Sequence, residues 1–263
     1  MVRKGGILNE LALFAGAGGG ILGGKLLGWR TVCAVEWEAF PASVLVARQN
    51  DRHLEAFPIW NDVRTFDGNP WRGIAQVVSG GFPCQDISIA GKGDGLDGER
   101  SGMWREMARV VSEVRPQFVF VENSPMLVTR GLERVIGDLT EMGYDCKWTV
   151  MGAADVGAPH QRDRIWIVAN SRHGWGRESE TTIGGQDTQS EWKFNSDQIV
   201  RPSKKPAPLA RQCQKWTTAD YWLFEPNVGR VVDGVADRIH RVKALGNGQV
   251  PLCAATAWRI LSE

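Results

Sequence analysis

An apolar run, Ile7 to Phe14, passes straight into Phe14-Ala15-Gly16-Ala17-Gly18-Gly19-Gly20 and then into Ile21-Leu22-Gly23-Gly24-Lys25-Leu26-Leu27. This stretch limits the fold more tightly than any other. The run is apolar enough for a buried first strand. The glycines form a turn that lets the backbone approach a ligand, and the helix that follows offers free N–H groups at its start. Such a turn alone serves a chain reversal as well as it serves a ligand. The second strand, Thr31 to Val35, ends at Glu36-Trp37. In doubly wound folds an acidic residue about 20 positions after the glycine turn holds ribose hydroxyls, and Glu36 stands at that distance. Trp37 beside it is placed to stack on a purine. With the turn upstream, a nucleoside site is favoured over an exposed Glu and a core Trp.

The alternation of strand and helix continues. Pro41 to Gln49 has helical spacing. In Ile59-Trp60-Asn61-Asp62-Val63, Asp62 either accepts from a base amine, with Val63 against the ring, or caps a turn. Ile74 to Val78 is apolar, with Ala75 to Val78 as the fourth strand. Helices are predicted over Trp104 to Val114 and Leu132 to Met142, and strands over Gln117 to Val121, Lys147 to Ala153 and Ile165 to Ala169. Buried strands alternating with helices predict an α/β fold with a mostly parallel sheet. Glu122-Asn123 follows one of these strands, at the edge where such folds place their chemistry. Arg162 and Arg164 stand at the start of another and are expected to point to opposite faces, one into a site and one onto a phosphate or carboxylate. A surface ion pair fits them equally well. His160 reads as structural.

The fourth strand leads into Ser79-Gly80-Gly81-Phe82-Pro83-Cys84-Gln85-Asp86-Ile87-Ser88. A cysteine at a strand exit, held by a rigid proline and followed by the mobile-looking loop Gly91-Lys92-Gly93-Asp94-Gly95, is well placed to be a nucleophile. A small core residue is the other reading of Cys84, since free cysteines are usually buried and inert. Local chemistry does not separate the two.

A chain of 263 residues with 43% hydrophobic content supports one large or two small domains with a true core. No run of about 18 apolar residues exists, so no membrane span is expected. Met1-Val2-Arg3-Lys4 does not open a signal peptide. Five scattered cysteines form neither a disulfide framework nor a CxxC metal site, which fits a reducing cytoplasm. The net charge of +1 requires a nucleic-acid binder to gather its positive charge on one face. The 12 tryptophans are expected to pack in or around the core.

At Asn170 the character changes. Ser171 to about Gly229 is polar, with Arg201, Lys204, Lys205, Arg211 and Lys215 close together. It is too long for an ordinary connection, and reads as a small lobe or a long insertion. Val231 to Lys243 then leads to Ala244-Leu245-Gly246-Asn247-Gly248-Gln249-Val250-Pro251, and an apolar helix, Leu252 to Leu261, follows.

Taken in order, Phe14-Ala15-Gly16-Ala17-Gly18-Gly19, Glu36-Trp37, Asn61-Asp62-Val63, Gly81-Phe82-Pro83-Cys84-Gln85, Arg100-Ser101-Gly102-Met103-Trp104, Glu122-Asn123, Gln161-Arg162-Asp163-Arg164 and Gly246-Asn247 resemble the C5-cytosine DNA methyltransferases. The Pro-Cys-Gln, Glu-Asn and Arg-x-Arg set in this order is specific. The short variable region looks most like that of solitary or phage-borne members. The resemblance implies a Rossmann-like S-adenosylmethionine-dependent catalytic domain over residues 1–170. It also implies a small target-recognition region over 171–229 and a C-terminal segment, 230–263, that packs back on the catalytic domain. It implies Cys84 as the thiolate that adds to C6 of a flipped-out cytosine, and Glu122 on N3 and the exocyclic amine. Arg164 would hold the base O2, and Arg162 a phosphate or the loop. For the cofactor it implies Glu36 on the ribose, Asp62 on the adenine amine, and Trp37 and Val63 beside the ring. Phe14, Gly16, Gly19, Phe82 and Asn247 would line the methionine end, with Met103 in the same site. The product would be S-adenosylhomocysteine, with no metal. Double-stranded DNA would be the partner, no membrane is involved, and the expected form is a cytoplasmic monomer in a bacterial nucleoid or a phage-infected cell.

Three departures from the family pattern remove no catalytic atom. Ala12 stands where an acidic residue is frequent, Ser124 where Val is usual, and His160 where Gln is common. Two other functions fit the same fold, an RNA cytosine methyltransferase and a non-catalytic DNA-binding relative. Intact Cys84, Glu122, Arg162 and Arg164 speak against the second.

Overall fold

The structure, a computed structural model, describes residues 7–83, 102–172 and 238–263. Cys84, the Gly91 to Gly95 loop, Arg100-Ser101 and all but the first two residues of the 171–229 region lie outside the described residues. The strands are β1 (Asn9–Leu13), β2 (Arg30–Val35), β3 (Ile59–Trp60), β4 (Val77–Gly80), β5 (Phe118–Asn123), β6 (Tyr144–Met151) and β7 (Arg164–Ser171). They form one sheet in the order β3-β2-β1-β4-β5-β7-β6. β1 to β5 pair in parallel, and β7 runs antiparallel between β5 and β6. The predicted α/β architecture with a mostly parallel sheet is therefore what forms.

The boundaries of β4 and β6 differ from the sequence reading for physical reasons. β4 runs on to Gly80 because Gly80 pairs with Leu13 on one side and Val121 on the other. β6 begins at Tyr144 and ends at Met151. Its first residues alternate buried Tyr144 and exposed Asp145, which hides a strand from a search for apolar runs. Ala153, expected in that strand, lies in a 3-10 turn over Ala153–Val156.

The described helices are α1 (Gly19–Leu26), α2 (Ala39–Asn50), α3 (Gly102–Val114), α4 (Leu127–Arg130), α5 (Leu132–Glu141), α6 (Arg238–Asn247) and α7 (Pro251–Leu261). Strand side chains alternate between faces, and the period of two divides the core. Leu11, Leu13, Val78, Val119 and Val121 meet α3 and α5, whose Trp104, Met107, Val110, Val111, Val114, Leu132, Val135 and Leu139 form one buried stripe per helix. On the other face, Val77, Phe120, Trp166 and Val168 meet α7. Ala12 and Ala34 meet Ile21 of α1 and Leu45 of α2.

α7 is buried nearly all round. It packs on α1, and Trp258 makes edge contacts with Trp29, Phe118 and Phe120 at centroid distances of 4.6, 5.1 and 5.5 Å. Edge-to-face pairs of this kind add about 0.5–1.5 kcal/mol each beyond the area they bury. That contact fixes the C-terminal helix against the first half of the chain, and it sets the position of the residues just before α7.

A carboxyl stands within the sheet between β2 and β4. Glu10 of β1 is 1% exposed, and its oxygens accept from the hydroxyls of Ser79 (2.7 Å) and Thr31 (2.8 Å). Burial raises its pKa from the ordinary value of 4.5, and the two hydroxyls offset only part of that. The stability of the neutral form is complete below the unfolded-state pKa and is lost as pH rises through the folded-state one. Glu10→Gln still accepts from one hydroxyl through Oε1, can donate its Nε2 to the other, and cannot ionise. The variant is expected to melt with the wild type near pH 4 and above it near pH 9. Equal melting temperatures at both pH values would contradict a buried, ionisable Glu10.

Candidate active site

The order of the sheet reverses between β1 and β4, since β1 leads outward to β2 and β3 while β4 lies on its other side. Crevices at the carboxyl ends of strands at such a switch point are where open α/β sheets bind ligands. A cleft of about 740 Å³ lies there, within the range of small-molecule and cofactor sites. Phe14 and Gly16 after β1, Glu36 and Trp37 after β2, Asp62 and Val63 after β3, and Phe82 after β4 all line it. Met103, Glu122, Arg164 and Asn247 complete the predicted residues on its wall.

The glycine turn is tied to β2 by a carboxylate. Glu36 is 8% exposed; its Oε2 accepts from the Gly16 N–H and its Oε1 from the Glu38 N–H, both at 2.7 Å. Burial raises its pKa, against the pull of the two N–H groups. Each oxygen has a second lone pair, so the carboxylate can shape the loop and still accept from a ligand hydroxyl. Phe14 takes a φ of 51°, a left-handed conformation uncommon outside glycine. That conformation bends the chain out of β1 at the cleft edge.

Asp62 caps a turn, one of the two roles the sequence allowed, and it also lies on the cleft wall. Its side chain accepts from the Arg64 N–H at 3.0 Å, capping a 3-10 turn over Val63–Thr65, and it faces the cleft. It also holds the Arg64 guanidinium through Nη2 at 2.9 Å, and this bond lowers its pKa. The Arg64 guanidinium carbon lies 5.0 Å from the centre of the Trp37 ring, which is 66% exposed. Exposed ion pairs contribute little, so this one is easily exchanged for ligand contacts. Val63 is buried, and Arg109 of α3 anchors its turn by donating to the Val63 and Phe66 carbonyls at 2.7 and 3.0 Å.

At the centre stands Glu122, 8% exposed at the end of β5. Arg164 Nε lies 2.8 Å from its Oε1, and Gln249 Nε2 donates to its Oε2 at 3.3 Å. Burial raises the Glu122 pKa, opposed first by the charge of Arg164. Asn123 turns the other way and donates to the Phe82 carbonyl at 3.0 Å, tying β5 to the chain just before Cys84. Phe82 itself is buried against Trp104 at a centroid distance of 5.4 Å. Pro83, the residue before Cys84, lines the cleft with Glu122.

Two predicted residues take other positions. Gly19 does not line the cleft; it packs against the Gln249 backbone. Arg162 is also off the wall, and its Nη2 donates to the carbonyls of Gly246 (2.7 Å) and Gly248. Two residues apart in a regular strand would share a face. Arg162 and Arg164 diverge because Arg162 precedes β7 and has a φ of 148°.

Three cysteines are described, and their surroundings disfavour the thiolate in each. Burial pushes Cys33, Cys146 and Cys253 up to about 12. Cys84 and Cys213 lie outside the described residues. Among the described residues, no helix is long and apolar enough to cross a membrane, and no three metal-ligating side chains gather.

The model of the C-5 cytosine-specific DNA methylase family matches residues 8–216. The chain belongs to that family. It is 33% identical over 156 residues to the type II methyltransferase M.CviJI of Paramecium bursaria Chlorella virus IL3A, covering 58% of this chain and 42% of that one. To M.Eco47II of Escherichia coli it is 35% identical over 172 residues, 62% of this chain and 39% of that one. The chain thus spans less than half the length of these two relatives. Its fold matches the S. pombe Dnmt2 methyltransferase with a TM-score of 0.51 at 17% identity, over 66% of this chain and 52% of that one. It matches the Entamoeba histolytica methyltransferase EhMeth at 0.52 and 15%, over 63% and 53%. The architecture is the Rossmann-like fold of the S-adenosylmethionine-dependent methyltransferases.

Sequence reasoning missed Arg64, Arg109 and Gln249. Arg109 pairs with Glu106 and Glu113 on its own helix, so its sequence pattern is that of a solvated helix face. Arg162→Ala removes two charge-assisted bonds, one to the last turn of α6 and one to the link that follows it. Amide exchange in the 238–250 segment is expected to accelerate at least tenfold, as befits bonds of about 1.5–3 kcal/mol each. Unchanged exchange there would show that Arg162 does not hold the segment.

Proposed function

We propose that the chain is a DNA (cytosine-5-)-methyltransferase that moves a methyl group from S-adenosylmethionine to C5 of a cytosine flipped out of duplex DNA. The observation that carries this reading is the buried Glu122, paired with Arg164, in a cleft whose wall includes Pro83, the neighbour of Cys84. Membership of the cytosine-specific family supports the substrate.

The cleft suits the cofactor on its own evidence. It offers an exposed tryptophan face at Trp37, an apolar wall at Val63, carboxylates at Asp62 and Glu36, and the glycine turn at Phe14 and Gly16. In this reading Glu36 takes the ribose, Asp62 the adenine amine, and Trp37 and Val63 the ring. Phe14, Gly16, Phe82, Met103 and Asn247 surround the remainder, and Gly19 acts through Gln249. S-adenosylmethionine supplies an electrophilic methyl group and leaves as S-adenosylhomocysteine. No metal takes part.

Cytosine C5 is a poor nucleophile. The Cys84 thiolate adds to C6, which makes C5 the carbon of an enamine. Electron density that would collect on the ring is met by a proton at N3 from Glu122, whose raised pKa suits a donor. Arg164 serves two partners, Glu122 and the base O2. After transfer the C5 proton departs, the C5–C6 double bond re-forms and Cys84 leaves. A stacked base is out of reach, so the cytosine leaves the helix to enter the cleft. Residues 171–229 are the proposed target-recognition region, 1–170 the catalytic domain, and 230–263 a segment that completes the cleft with Asn247. The enzyme works as a monomer in the cytoplasm, in a bacterial nucleoid or a phage-infected cell.

The test is label transfer from S-adenosylmethionine to mixed-sequence duplex DNA and, in parallel, to tRNA, with nucleoside analysis. 5-Methyldeoxycytidine from DNA, absent with Cys84→Ser, is expected; label in tRNA alone would overturn the DNA reading. Truncation after Lys243 removes Asn247 and α7 and is expected to abolish cofactor binding together with activity. A truncated chain that bound S-adenosylmethionine at full affinity would remove the C-terminal segment from the cofactor site.

A further inference from the structure

Behind Glu122 stands a side chain from far along the chain. Gln249 lies 127 residues beyond Glu122, in the link between α6 and α7. Strand periodicity puts Glu122 on the side from which Gln249 approaches. Phe120 and Glu122 share the face of β5 that α7 covers, and Gln249 leads into α7. Space is cleared for the pair. A Cβ on Gly20 would collide with Gln249 Oε1, and one on Gly81 would lie 3.0 Å from Gln249 Nε2 and 2.5 Å from Glu122 Oε2. Any other residue at Gly81 would force the amide and the carboxyl apart.

We propose that Gln249 is a positioning residue for Glu122, its amide N–H fixing the direction of the carboxyl and favouring the ionised form, so that the C-terminal segment acts on the chemical step. The proposal rests on the reading of Glu122 as the proton donor to the base. Arg164 occupies Oε1 at 2.8 Å, and Gln249 is the partner on Oε2. The charge of Arg162 reaches Glu122 from the chain before β7. On the remaining side, a small cavity lined also by Phe120 lies between Glu122 and Glu10 of β1 and Ser79 of β4. It has about 10 Å³ free for a water molecule, near the lower limit of what one ordered water needs. Glu10 faces the same cavity, its pKa raised by burial against the pull of the Ser79 and Thr31 hydroxyls. Gly81 and Phe82, at the end of β4, bring no charge.

A hydrogen bond to a carboxylate favours its charged form, so its loss raises the pKa of the carboxyl. The rate needs Glu122 protonated, and it falls at high pH as that proton is lost. Removing the Gln249 amide therefore moves the alkaline limb of the profile to higher pH. A second carboxyl at the same place moves it further.

The experiment compares single-turnover pH–rate profiles of wild type, Gln249→Leu and Gln249→Glu on unmethylated genomic duplex DNA. Melting temperature and S-adenosylmethionine affinity are measured on each protein. Both alkaline limbs are expected to rise by about one pH unit or more, with a rate near neutrality about tenfold lower in Gln249→Leu and cofactor affinity nearly unchanged. A merely structural glutamine would change the melting temperature and leave the limbs in place. Gln249→Glu keeps the size of the side chain, so a folding failure of the leucine variant does not remove the test. Limbs that superimpose on the wild type, while Glu122→Gln is inactive, would overturn the role of Gln249 alone. A fully active Glu122→Gln would overturn the reading of Glu122, and the proposal with it.

Discussion

The buried contact between Glu122 and Arg164 is the constraint on which the rest of the site depends. A carboxylate almost sealed from water is costly unless cations and hydrogen bonds surround it. Four parts of the chain supply what this one needs. β5 brings Glu122 to its end, β7 brings Arg164 from the antiparallel neighbour, the end of β4 keeps a glycine beside it, and the approach to α7 adds an amide. Glu122 pairs with Trp166 in the ladder between β5 and β7, which puts Arg164 just past the end of β5. The antiparallel placement of β7 is thus what delivers the arginine to the cleft.

The same sheet divides the labour of the cleft. The ends of β1, β2 and β3 form a wall of glycine backbone, carboxylates and one exposed tryptophan, suited to a nucleoside. The ends of β4, β5 and β7 form a wall of buried charge, suited to stabilising a reacting ring. The two walls meet at the switch point, so in the proposed reading a methyl donor on one side and a base on the other would converge there. The segment from α6 to α7 touches both. Lys243 pairs with Glu38 beside the nucleoside wall, and Gln249 reaches Glu122 on the other. Arg162 fastens the link between those two contacts.

Much of this was legible in the sequence, for a definite reason. Glu36 and Glu122 end apolar strands, and a polar residue at such an end has little choice but to face the cleft. The glycine turn and the Pro-Cys-Gln, Glu-Asn and Arg-x-Arg order carried the family. What stayed hidden depends on contacts between distant segments. Glu10 sits inside an apolar run, and its hydroxyl partners come from β2 and β4. Gln249 looks like a polar loop residue until α7 is seated on the sheet. Asp62 read equally as a cap and as a ligand; the structure shows the cap and puts the side chain on the cleft wall. Gly19 belonged to the glycine motif, and the motif did not show that the Gln249 backbone comes close against it. The divergence of Arg162 and Arg164 came from a single unusual backbone angle, which spacing alone does not encode.

The central claim is that Cys84 and Glu122 act on one cytosine ring through a covalent adduct. Duplex DNA with 5-fluorocytosine in place of cytosine tests it most directly, because fluorine at C5 cannot leave as a proton does. With S-adenosylmethionine present, the account predicts a complex that survives denaturation, with the added mass on the peptide that contains Cys84. Complex formation should be lost in Cys84→Ser and strongly slowed in Glu122→Gln. Methyl transfer to ordinary DNA without any trapped complex on fluorinated DNA would contradict the account.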